Sequence, residues 1–137
     1  MDKMKWENAQ VAVEEITEVL KTQPPEICYP LVKVALEHYP QTADLHSITG
    51  VCFLLQKDFE TSLGYFAHAA KLAPTELRYL VNHAELLSQL GRKAEAIKIF
   101  QEVLNQDPRY EGAYIGLGNI HQEEGKMPLA AAEFARA

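Results

Sequence analysis

Residues 90–108, LGRKAEAIKIFQEVLNQDP, place a phenylalanine at 100 and a proline eight residues later; residues 58–74, DFETSLGYFAHAAKLAP, place the same pair at 66 and 74. The prolines extend upstream, for Pro40, Pro74 and Pro108 are 34 residues apart each time. Proline fills only about one place in twenty of an average sequence, and other columns move in step with it. Aligned on the prolines, Gly50 stacks on Ala84 and Gly118, Ser62 on Ala96 and Ala130, Phe66 on Phe100 and Phe134, and Ala69 on Val103 and Ala137. Recurrence in several columns at once marks one structural unit built repeatedly.

Small residues recur where two helices must approach closely, and a large ring recurs where a gap must be filled. Each proline lacks an N–H and has a fixed φ, so it ends a helix and hands the chain to the next. Phe100 therefore locks a helix inward, and Pro108 stops it two turns later. The spacing predicts helices at about 4–22, 26–38, 43–56, 59–72, 77–90, 93–106, 111–124 and 127–137, with no strand signal. Gly91 and Gly125 fall in the turns between paired helices, where a left-handed backbone suits glycine. Lys57 and Gln23 hold the equivalent places and are expected to make that turn differently. Pro24 and Pro25 open the second helix; Pro30 is expected near its first turn, where it would kink the helix or delay its start. Pro128 sits in a first turn.

The pattern resembles the tetratricopeptide repeat, whose 34 residues carry Trp, Leu-Gly and Tyr in a first helix, then Ala, Phe and Pro. Residues 77–110 keep Leu80, Ala84, Leu87, Ala96, Phe100 and Pro108, with His83 at the usual leucine place. Residues 111–137, an incomplete unit, keep Tyr114, Leu117, Gly118, Gly125, Ala130 and Phe134. Residues 43–76 keep Gly50, Phe53, Phe66 and Pro74, while His46, Thr49 and Lys57 replace the expected residues. Upstream only Ile16, Val19, Cys28, Val32, Ala35 and Pro40 stay in register, so residues 1–42 are expected to form an N-terminal helix pair, either a degenerate repeat or a cap. The resemblance implies an all-α fold, a right-handed α-solenoid of antiparallel helix pairs, with three units over 43–137.

The totals are those of ordinary globular material. The 137 residues are 47% hydrophobic and 23% charged, and no apolar run approaches the ~20 residues of a membrane span. The opening MDKMKWENAQ lacks the apolar core of a signal peptide, so a cytoplasmic location is expected. A formal net charge of -6, without any run of basic residues longer than a pair, offers a phosphate backbone no attractive stripe. Nucleic acid and membrane are both unexpected partners. Cys28 and Cys52, each among apolar neighbours and without a CxxC spacing, are expected to be buried and reduced, with a disulfide as the minor alternative.

No catalytic constellation emerges. His46, His83 and His121 fall in columns used for packing, and neither HxxxH, HExxH nor a Cys/His ligand spacing is present. His38 and His68 lie near the ends of second helices, where an imidazole is expected to face carbonyls and solvent. Adjacent acids such as Glu14–Glu15 and Glu123–Glu124 diverge by ~100° on a helix rather than converging. The segment GLGN at 116–119 lies within a helical column and not after a strand, so it is no phosphate loop. Neither a cofactor nor an enzymatic activity is expected.

Binding remains. In the first helix of 77–110, Leu80, Ala84 and Leu87 form the packing stripe, which turns Arg78, Val81, Asn82, Glu85 and Gln89 to the other side. The family resemblance makes that side the lining of a concave, peptide-binding groove. The corresponding places are Asp44, Ser47, Ile48, Val51 and Leu55 in 43–76, and Gly112, Ile115, Gly116, Asn119 and Glu123 in 111–137. Ile48, Val51 and Leu55 have two readings: an apolar groove for a peptide or helix, or a face covered by the N-terminal helix pair. In the family, an Asn at the place of Asn82 commonly bonds a ligand backbone. The clamp by which some members grip acidic chaperone tails would fall on Ser47, Val51, Asn82, Gly112 and Gly116, so four of its five polar groups are missing and such tails are not expected to bind. Trp6, Ala9, Val13, Ile16 and Leu20 predict an amphipathic helix that packs on the next pair, with docking of another protein as the minor alternative.

The expected function is a non-catalytic protein-interaction scaffold. The alternatives are the recruiting arm of a larger enzyme, of glycosyltransferase, sulfotransferase or methyltransferase type, and a secretion-type chaperone sheltering an apolar segment. Because the chain stops inside a second helix after Phe134, a longer parent chain or self-association through this open end is also expected.

Overall fold

The computed structural model describes residues 6–137, which form α1 (Ala9–Thr22), α2 (Pro25–His38), α3 (Ala43–Leu55), α4 (Phe59–Leu72), α5 (Leu77–Gln89), α6 (Lys93–Gln106), α7 (Glu111–Glu123) and α8 (Met127–Arg136). Among the described residues there is no strand. The chain divides into two compact units, the first running to Ala73 and the second Pro74–Ala137. In each, consecutive helices pair as antiparallel hairpins, as an all-α repeat requires.

The turns inside the hairpins are built alike three times. Asp58 N–H reaches the Phe53 carbonyl at 2.9 Å, Arg92 N–H that of Leu87 at 2.9 Å, and Lys126 N–H that of His121 at 2.7 Å. This is the six-to-one closure of a Schellman motif, whose penultimate residue must be left-handed. Gly91 and Gly125 have φ of 84° and 78°, and Lys57 adopts 65°. The expectation that Lys57 would turn the chain differently is therefore corrected: hydrogen bonding imposes the glycine geometry on a lysine. Gln23, in contrast, is extended at φ -124°.

The small columns are notches for the rings. A Cβ added to Gly50 would lie 2.6 Å from Phe66, and one added to Gly118 would lie 2.5 Å from Phe134. Gly116, two residues before Gly118 and so on the opposite side of α7, is a further notch: a Cβ there would meet Phe100 at 2.2 Å. Ser62, standing where Ala96 and Ala130 stand in the other hairpins, is fully buried and donates its hydroxyl to the Gly50 carbonyl at 2.7 Å. A buried hydroxyl is tolerated because its hydrogen bond is made within the hairpin.

The carbonyl of each repeat proline finds a side-chain partner. His46 Nε2 lies 2.8 Å from the Pro40 carbonyl, and Tyr114 donates to that of Pro108 at 2.7 Å. Leu80 at the equivalent place cannot donate, and there Gln106 Nε2 approaches the Pro74 carbonyl at 3.5 Å.

The first unit has a core of Trp6, Ala12, Ile16, Cys28, Val32, Ala35, Leu45 and Cys52, with Ile48 packed against it. Rings brace α2, α3 and α4: Tyr29 meets Phe53 edge-on at 5.2 Å, and Phe53 stacks on Tyr65 at 5.7 Å. Trp6 lies before α1 and not within it, which corrects the helix expected from residue 4; residues 4 and 5 lie outside the described residues. Asn8 intervenes as N-cap, accepting from Val11 N–H at 3.0 Å. Trp6 is nonetheless buried, with its indole N–H on Glu15 at 3.2 Å and its carbonyl accepting from the Tyr39 hydroxyl at 3.2 Å. Pro30 falls inside α2, five residues after its start at Pro25, so it does not delay that start.

Candidate functional site

In the second unit α5 and α7 lie side by side, with α6 packed against both. The α5 wheel turns Leu80, Ala84 and Leu87 into the interior, where all are buried, and this leaves Glu85, Ser88 and Gln89 facing outward. The α7 wheel places Asn119, Gln122 and Glu123 opposite them. Together these six polar side chains rim a cavity of about 610 Å³, closed below by the Phe100 ring and the Gly116 backbone. Gly116 is what makes that floor: any side chain there would displace Phe100. The volume lies within the range of ligand pockets, about 300–1,000 Å³.

The electrostatics of the rim are uneven. Glu123 is engaged by Lys93 Nζ at 2.7 Å. Glu85 has no cation beside it among the described residues, and burial alone pushes its carboxyl above the usual carboxylate range, although the side chain as a whole is exposed.

The residues expected to line a groove are distributed unequally. Glu85 and Asn119 meet in the cavity. Asn82 is half-buried on α5, and Ile115 is 40% exposed on α7. Val81 is buried, close to the position a Gly112 Cβ would occupy, so its side chain packs rather than faces a partner. Arg78 lies over its neighbour Tyr79, with the guanidinium carbon 4.7 Å from the ring centroid, and approaches Glu76 at 3.8 Å. In the first unit Ser47 and Val51 are half-buried and Leu55 is 56% exposed. Ile48 is half-buried and packs against the N-terminal core. Ser88 and Gln122 were not expected in the site; their wheel positions, one turn from Glu85 and Asn119, were the available signal.

The histidines are placed as packing groups. His46 is half-buried and its Nδ1 has no hydrogen-bond partner among the described residues; burial holds its pKa below the ordinary value. His68 does not cap α4 but meets His46 edge-on at 4.3 Å. His83 is likewise lowered by burial, and His121 Nδ1 bonds Glu133. Among the described residues no group of three or more His, Cys, Asp or Glu could hold a metal ion. Cys28 and Cys52 are free and buried; burial pushes Cys52 up to about 12 and raises Cys28. No helix among the described residues is long and apolar enough to cross a membrane.

Residues 81–137, which hold all of α7 and most of α5, match the family model of the tetratricopeptide repeat. Over those residues the chain is a tetratricopeptide repeat. Small glutamine-rich tetratricopeptide repeat-containing protein 2 of Saccharomyces cerevisiae is 30% identical over 73 residues, 53% of this chain and 21% of its own length. Superkiller complex protein 3 of Mus musculus is 29% identical over 98 residues, 72% of this chain and 6% of its own. The chain thus spans a small part of the length of these relatives. Among solved structures, MamA superimposes with a TM-score of 0.80 at 14% identity, over 94% of this chain and 75% of MamA. Pseudomonas aeruginosa pilF gives 0.84 at 21% identity, over 93% of this chain and 59% of pilF. At such identities the likeness is one of fold, the stacked helical hairpins of tetratricopeptide proteins.

Proposed function

We propose that this tetratricopeptide repeat chain is a non-catalytic protein-interaction scaffold that holds a polypeptide segment of a partner in the groove between α5 and α7. The observation that supports this most is the cavity of about 610 Å³ whose rim is made of hydrogen-bonding side chains from two successive first helices. Carboxamides at Gln89, Asn119 and Gln122 offer both donors and acceptors, which suits the exposed backbone of an extended segment. The apolar reading centred on Ile48, Val51 and Leu55 is less well supported, because Ile48 is half-buried and packs against the core.

Photocrosslinking tests the proposal. A benzoylphenylalanine at Asn119 is expected to capture a discrete polypeptide in a lysate of the source organism, and the same group at Gln101 on the outer face of α6 is not. Capture from position 101 with none from 119 would place the interaction elsewhere.

A further inference from the structure

Resting on the interaction reading above, we infer that the α5–α7 cavity is a receptor for a cationic side chain, lysine or arginine, in the bound segment, and that Glu85 is the residue that selects it.

Two carboxylates face the cavity and no lysine or arginine lines it. Glu123 is already neutralised by Lys93 at 2.7 Å from outside the cavity. Glu85 is not: burial is the one cause acting on its carboxyl, without a hydrogen bond or a neighbouring cation to offset it. A carboxylate that loses water and gains no partner is held at a cost, and an incoming cation would remove that cost. The rest of the rim fits the same guest. Ser88, Gln89, Asn119 and Gln122 present oxygens that accept from an ammonium or guanidinium, which carry donors only. The floor at Phe100 and Gly116 is apolar and suits the methylene stem of lysine or arginine. The cavity exceeds a single side chain in volume, so the flanking backbone of the segment enters with it. An acidic guest would meet Glu85 with no counter-cation lining the cavity, and an uncharged guest would leave Glu85 as it is.

Peptide arrays of uncharged background, with lysine, arginine, glutamine or glutamate at the central place, test this on the full chain. Lysine and arginine spots are expected to retain the protein and glutamate spots to fail. The dissociation constant of the best lysine peptide, read by fluorescence anisotropy, is expected to rise about five- to tenfold in Glu85→Gln, between the effects of exposed and buried charge pairs. Circular dichroism verifies that this variant keeps its helices. Retention regardless of central charge, or unchanged affinity in Glu85→Gln, overturns the inference and leaves the scaffold reading in place. Failure of every peptide while Asn119 still crosslinks a partner also overturns the inference alone. Failure of both experiments overturns the two together.

Discussion

Single residues carry most of what was readable and most of what was not. The phenylalanine, small-residue and proline columns could be read because steric demand selects residue type: a notch at Gly50 or Gly118 is needed by the ring that fills it. Lys57 could not be read, since backbone hydrogen bonds fix its φ of 65° and leave no mark on residue identity. A left-handed lysine is strained where glycine is not, so Lys57→Gly is expected to stabilise the chain by about 0.5–1 kcal/mol, the strain relieved less the extra entropy glycine loses on folding. A rise in the urea midpoint at unchanged slope is the check. Glu85 provides a pH test. Its folded pKa is raised above the ordinary 4.5, so the folded state holds its proton more tightly and stability is lost as pH rises through that window. Glu85→Gln is therefore expected to melt higher than the parent at pH 7, with the gain vanishing below pH 4.5. A gain that persists at low pH would show that desolvation of the carboxylate is not its source.

Elements were legible through period and punctuation. Seven of the eight helices lie within a residue or two of the expected limits, because glycine, proline and the apolar stripe bound them on both sides. The exception is α1. Its stripe continues in sequence through Trp6, but the Asn8 cap stops the helix first, and Trp6 is then buried outside the helix, bonded to Glu15 and Tyr39. Periodicity registers burial of a residue and not the conformation that buries it. The core that Trp6 completes also holds both thiols, and nucleophilic reactivity needs an accessible thiolate. With Cys52 pushed up to about 12 and Cys28 also raised, Ellman's reagent at pH 8 is expected to find no reactive thiol in the native chain and two in denaturant. Prompt reaction of either thiol in the native chain would contradict the packing of α1, α2 and α3.

Across the molecule, each unit is a set of hairpins held by rings in notches, and the second unit leaves a polar cavity between its first helices. Half of this was readable: the helical wheel turned Glu85, Gln89, Asn119 and Glu123 to one side. The wheel could not show that Val81 is buried near Gly112, that Ile48 packs against the N-terminal core, or that Gly116 allows Phe100 to floor the cavity, for these depend on what a neighbouring helix brings. Whether polypeptide binds between α5 and α7 is read most directly by amide chemical shifts of the labelled chain during titration with the best array peptide. Shifts concentrated at Glu85, Ser88, Gln89, Asn119 and Gln122 are predicted; shifts confined to the outer face of α6, at Ala94, Lys98 and Gln101, would contradict the account.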